Sequence, residues 1–169
     1  MKFSVFLSLA CALIASNAFA DDGASFVRGD WIGTGTFQLG DQVSACSEVK
    51  MRFGGSKNTY EVREASMTCG SGPKQDFTEI DLFSIKEDGQ ISFEQGTATK
   101  LAKGTKVGVV RDNKLRTLNP IDTGGVDDIS IQQAGDFLIY SQIAGEPGKT
   151  PDYSLLAILK KDTSAATKP

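Results

Sequence analysis

The residues whose types and spacing bear on chemistry are few: Cys46 and Cys69, the pair Glu79 and Asp81, a run holding Asp122, Asp127 and Asp128, and Gly145-Glu146-Pro147-Gly148-Lys149-Thr150. The chain contains no histidine. That removes Ser-His-Asp and Cys-His nucleophile arrangements and the usual ligands of zinc and haem. No catalytic residue, metal or cofactor is therefore expected, and the chain is not read as an enzyme. Glu79 and Asp81 share one strand parity, but spacing alone does not set the separation that carboxylate-pair glycosidase chemistry needs, so they read as a solvated face. Asp122-Thr123-Gly124-Gly125-Val126-Asp127-Asp128 offers oxygen ligands around a glycine turn. Its spacing is not that of an EF-hand, and a plain turn is the preferred reading, with calcium as the alternative. The Gly-Lys-Thr end of the last segment echoes a phosphate loop. Two residues separate its glycines where four are needed, and a strand follows instead of a helix.

The cysteines acquire their meaning from the leader. Lys2 precedes an apolar run from Phe3 to Ala15, and Asn17-Ala18-Phe19-Ala20 ends in the small-residue cleavage pattern of a secretory signal peptide. Cleavage before Asp21 places the mature chain in the periplasm or outside the cell and removes Cys11. Lipidation at Cys11 is disfavoured by Ser8 and by the short apolar run before it. The apolar run falls short of the ~20 residues that span a bilayer, so no transmembrane anchor is expected. Cys46 and Cys69 then remain as an even count in an oxidising compartment, outside any C-x-x-C pair, and read as one disulfide. The formal net charge is −3, with no Lys/Arg block of the kind that binds nucleic acid.

The elements that must position these residues read as strands. Trp31, Gly33, Gly35, Phe37 and Leu39 fall on one face of the first strand, and the two glycines leave room there for a bend or a close neighbour. Residues 48–53 and 59–64 form a hairpin around Gly54-Gly55-Ser56-Lys57-Asn58. With Cys46 facing Cys69, a bulge-free register pairs Lys50 with Ala65, Arg52 with Arg63 and Phe53 with Val62. It sets the disulfide on the outside of the sheet and puts Val49, Met51, Phe53, Tyr60 and Val62 on the other face. Facing arginines are unfavourable, so a bulge or shifted register is expected in this pair. Further strands are expected at residues 76–85, 90–94, 106–110, 114–118, 129–131, 137–143 and 153–160, with a single helical turn at most over 97–103. The fold class is all-β, a single antiparallel meander barrel of about eight to ten strands. The chain divides into a signal peptide (1–20), an N-terminal segment (21–30), the barrel (31–161) and a frayed tail (162–169).

In two places the chain resembles the lipocalin-like, or calycin, barrels. Gly29-Asp30-Trp31 is similar to their first-strand G-x-W motif, and Asp152-Tyr153 to their later T-D-Y segment, interrupted here by Pro151. The resemblance implies that Trp31 plugs a closed barrel end. Where those proteins pack an arginine on the tryptophan, this chain ends its last strand with Lys160-Lys161. A second likeness, carried by the order Trp31, Cys46, Cys69, is to small periplasmic metalloprotease inhibitors, and it implies an inhibitory arm at residues 21–28.

The resulting expectation is an exported barrel that holds a small, partly apolar ligand in its interior. By parity the candidate lining residues are Phe37, Met51, Phe53, Tyr60, Phe83, Phe93 and Tyr140, which serve equally well as core filling in a small barrel. The alternative is a protein-binding module such as a barrel-type protease inhibitor acting through its N-terminal segment. Nothing in the sequence fixes the oligomeric state.

Overall fold

Apolar side chains at every second position, punctuated by glycine and Asx turns, carry the chain from strand to strand with no α-helix among the described residues. The computed structural model describes residues 23–77, 81–96, 101–121 and 124–164. The signal peptide and the tail from residue 165 lie outside them. The strands are β1 (Gly29–Leu39), β2 (Gln42–Gly54), β3 (Thr59–Cys69), β4 (Gln75–Phe77), β5 (Asp81–Ile85), β6 (Gln90–Gln95), β7 (Lys106–Arg111), β8 (Lys114–Pro120), β9 (Val126–Ala134), β10 (Phe137–Gly145) and β11 (Tyr153–Lys161). Each pairs antiparallel with its neighbours, and β1 pairs with both β2 and β11, which closes the ring. β4 and β5 share one edge of β3, β5 along Thr59–Val62 and β4 along Ala65–Met67. The result is a ten-stranded meander barrel with β4 as a short flap, an architecture consistent with a calycin-like fold. Closure leaves few sheet edges to template aggregation.

Several local expectations are corrected. The strand expected over 76–85 is two pieces, β4 and β5, with 78–80 outside the described residues. The strand expected at 129–131 begins at Val126, so Asp127 and Asp128 stand in β9 and not in a loop, on opposite faces. Asp122 and Glu79 lie outside the described residues. In the β2–β3 hairpin Phe53 does face Val62, but Arg52 faces Glu64 and Lys50 faces Ser66. The expected bulge lies between these two registers, and it replaces an Arg–Arg clash by an ion pair of 2.9 Å.

A second bulge, between Cys46 and Glu48, decides where the disulfide goes. It reverses parity, so Cys46 joins Val49, Met51 and Phe53 on the inner face and is buried. The Cys46–Cys69 bond is therefore part of the core and not an external clamp, because a bulge-free register was the wrong premise. It ties residues 23 apart, and breaking it by reduction is expected to lower stability by up to about 3 kcal/mol, measured by urea unfolding of oxidised and reduced protein.

One end of the barrel is shut. Residues 25–27 form a 3-10 turn before β1, and Ala24 and Val27 are buried beneath the strands. Trp31 Nε1 donates to the Val27 carbonyl at 2.6 Å. The Lys161 ammonium lies 4.1 Å from the centre of the indole ring and donates to the Arg28 carbonyl. Burial against the ring pushes this lysine below its ordinary value, with Asp30 pulling the other way. A lysine thus stacks on the tryptophan, an attraction of about 0.5–1 kcal/mol at exposed sites.

Candidate functional site

At the opposite end the inner face turns polar. Alternation along β8 buries Leu115, Thr117 and Asn119 in succession, and the register sets Asn119 directly opposite Asp127 of β9. Across β9 and β10, Asp127 faces Ala144 and Ile129 faces Gln142; across β10 and β11, Ala144 faces Tyr153. These positions share the inward parity of Leu138 and Tyr140. Gln142 is the hub: its Nε2 lies 3.1 and 3.0 Å from the two Asp127 carboxylate oxygens and 3.0 Å from the Tyr153 hydroxyl. Its Oε1 accepts from the Tyr140 hydroxyl at 2.9 Å. Asp127, Gln142 and Tyr153 are only partly buried, while Tyr140, Tyr60 and Asn119 are buried below them.

Electrostatics joins the two walls of the barrel in this cluster. Burial pushes the Tyr60 hydroxyl far above the ordinary tyrosine value, and the charge of Asp81, inward on β5, adds to the shift. Burial likewise raises Tyr140, helped by Tyr60, Asp127 and Tyr153. The chain has three tyrosines, and all three meet here. Three buried atoms, Arg28 Nε, Tyr60 Oη and Asn119 Oδ1, have no hydrogen-bond partner among the described residues. A buried polar atom left unpaired costs about 1–3 kcal/mol.

The raised tyrosines have a measurable consequence. The unfolded chain releases these protons near pH 10 while the folded chain holds them, so their stability contribution is complete below about pH 10 and falls above it. Each tyrosine is expected to cost about 1.4 kcal/mol per pH unit in that alkaline window. Tyr60→Phe should halve the slope, read from urea unfolding between pH 9 and 11.

All seven residues expected to line the interior face inward. Phe53, Tyr60, Phe83 and Phe93 form a belt across β2, β3, β5 and β6, with ring centres 5.9, 5.6 and 6.0 Å apart. Met51 sits opposite Trp31, Phe37 is half-buried toward the other end of β1, and Tyr140 belongs to the polar cluster. Sequence reasoning missed Asn119 and Gln142, and it set Asp127 in a turn with calcium as the alternative role. The signal was present in strict alternation from Leu115 and from Leu138, which sets polar residues on the inner face.

The surface of the barrel carries several grooves. One of about 460 Å3 beside β2–β4 is rich in charge, but Arg52 is bound to Asp30 at 2.5 Å and to Glu64, and Lys74 to Asp76 at 2.6 Å. Its charges neutralise one another. Glu48, Lys50, Arg52 and Glu64, together with the Arg116–Asp128 pair on β8 and β9, give part of the outer wall a charged face, unlike the continuous apolar band of a membrane-spanning barrel. No helix among the described residues is long and apolar enough to cross a membrane. The outer face of β10 and β11 differs, exposing Phe137, Ile139, Ile143, Leu156 and Ile158. No protein-family model matches the chain, and a search of curated proteins gives no match.

Proposed function

We propose that the protein is an exported barrel that binds a small, partly apolar ligand in its interior without transforming it. The observation that carries this reading is the asymmetry of the two ends: the Trp31–Val27–Lys161 plug lies at one, and partly buried inward polar side chains at Asp127, Gln142 and Tyr153 line the other. The aromatic belt supplies apolar surface, worth about 25 cal/mol per Å2 of ligand area removed from water. Ten strands enclose a wider interior than the eight that side chains alone can fill. Export is supported by the leader sequence and by the buried disulfide. Native mass spectrometry of protein purified from its own compartment without detergent tests the reading. A discrete extra mass that leaves on denaturation is expected; a bare mass that persists after incubation with candidate ligands contradicts it.

Protein binding is the second reading, and the exposed apolar side chains of β10 and β11 are the observation that favours it. An inhibitory arm at residues 21–28 fits less well. Ala24 and Val27 are part of the core, and releasing them would unseat the plug beneath Trp31.

A further inference from the structure

We propose that the outer face of β10 and β11 is the surface on which a second copy of this chain docks, forming a two-fold symmetric dimer. This rests on the protein-binding reading, for which it names the partner, and is independent of interior binding. Three observations converge on it.

The first is the distribution of charge. Elsewhere the outer wall carries Glu48, Lys50, Arg52, Arg116 and Asp128. In the middle of β10 and β11 the outward positions are Ile139, Ser141, Ile143, Ser154, Leu156 and Ile158, none of them charged, and their outward neighbours on β1 are Thr34 and Thr36. A two-fold interface sets a patch against itself, so a charge near its centre meets its like. An uncharged, largely apolar centre is what self-pairing requires, and depletion of charge at the centre marks protein interfaces.

The second is that the face complements itself on reversal. Ser141 of β10 stands opposite Leu156 of β11. A two-fold axis lying between the two copies and running across the strands at these residues lays each strand, reversed, over itself. Lys160 then comes over Asp152 of the other copy, since each is four residues from Leu156. Both are exposed, at opposite ends of β11, and neither has an ion-pair partner among the described residues. Phe137 comes over Gly145, each four residues from Ser141, or about 14 Å at 3.4 Å per residue. Phe137 is exposed, whereas Gly145 has no side chain and borders a groove of about 380 Å3 lined by Leu118, Pro120, Val126, Pro147 and Pro151. The knob and the groove that receives it therefore lie equally far from the axis. Between them Ile139 falls on Ile143, and Leu156 meets its own copy.

The third is size. The three strands β1, β11 and β10 make a strip about 14 Å wide and about 30 Å long, roughly 400 Å2 in projection. Interdigitated side chains and the two seated Phe137 rings bring the surface removed from both copies to about 1,000 Å2, the lower bound for a specific interface. A dimer of this size is reversible and concentration-dependent.

Sedimentation equilibrium of the oxidised protein from about 1 μM to about 1 mM tests the proposal, and a monomer–dimer equilibrium is the expected result. Leu156→Glu and Leu156→Lys change an exposed position, and each should weaken self-association by at least about 30-fold, because the axis sets the new charge against its copy. An equimolar mixture of the two should restore the dimer, since the opposed charges now attract. Val109→Glu, equally exposed but on β7, should leave association unchanged. Should a Leu156 variant fail to fold, Phe137→Ser, expected to weaken association by at least about tenfold, takes its place. A dimer indifferent to Leu156 and Phe137, or one that the mixture does not restore, overturns the proposal. A monomer at every concentration also overturns it and leaves protein binding standing with a different partner. A monomer that phosphatidylethanolamine–phosphatidylglycerol vesicles withdraw from solution, with Leu156→Glu left behind, overturns the protein-binding reading as well.

Discussion

Trp31→Ala is expected to lower the unfolding free energy by about 4 kcal/mol, at the upper end for a single buried side chain. Three losses coincide. The buried indole leaves a cavity between the strands and the N-terminal turn. The Val27 carbonyl, which accepts from Trp31 Nε1 at 2.6 Å in a buried setting, is left without its donor. Lys161 loses the ring over which it lies. Trp31→Phe separates these contributions, since it keeps much of the apolar volume and part of the cation contact while removing the indole donor; its cost should fall between that of alanine and the parent. Urea unfolding gives the energies, and hydrogen exchange at residues 24–28 shows whether the plug opens first. A cost below about 1 kcal/mol for Trp31→Ala would mean that the end is sealed by something else.

The second large effect is expected at Gly33. A Cβ built there would lie 1.9 Å from the Ile158 carbonyl oxygen and 2.9 Å from the Leu159 Cα, both backbone atoms of β11. A flexible side chain could swing aside; a strand backbone cannot without breaking its ladder. β1 and β11 are the first and last strands, so their contact is the seam that closes the barrel. Gly33→Ala should therefore cost more than about 3 kcal/mol, beyond ordinary overpacking, and Gly33→Val should leave the seam open with two exposed edges prone to aggregation. Thr34→Ala, adjacent but outward-facing, is the matched control and should change stability by less than about 0.5 kcal/mol. Stability by urea unfolding and association state by light scattering decide the matter. A tolerated valine at Gly33 would contradict the close seam.

The barrel was legible because period-two alternation is a local signal. Trp31, Gly33, Gly35 and Phe37 declare an inner face without reference to any other strand, and the glycine pair pointed to a close neighbour that proved to be the β11 backbone. Pairing register was less legible, since it depends on bulges that alternation does not announce. The extra residue between Cys46 and Glu48 moved the disulfide from outside to inside, and the one at Arg63 exchanged an Arg–Arg opposition for Arg52–Glu64. Only the charge conflict signalled in advance that the second was needed. Asp127 was hidden for another reason. The composition of Asp122-Thr123-Gly124-Gly125-Val126-Asp127-Asp128 is that of a turn, yet pairing with β8 and β10 draws Val126, Asp127 and Asp128 into β9. Tertiary pairing outweighs local preference there. The polar cluster is assembled from β3, β5, β8, β9, β10 and β11, so it exists only once the ring has closed.

That cluster also supplies the most direct test of interior binding. All three tyrosines of the chain face the inside, whereas Ile139 and Ile158 are cross-strand partners on the outside. Protein labelled at tyrosine rings and isoleucine methyls, titrated with a compound that native mass spectrometry shows to bind and followed by NMR, reports on both surfaces at once. Shifts at Tyr60, Tyr140 and Tyr153 with Ile139 and Ile158 unmoved are the predicted result. Shifts confined to Ile139 and Ile158, with the tyrosine rings unperturbed, would contradict interior binding and assign the outer apolar face as the place where ligands meet this protein.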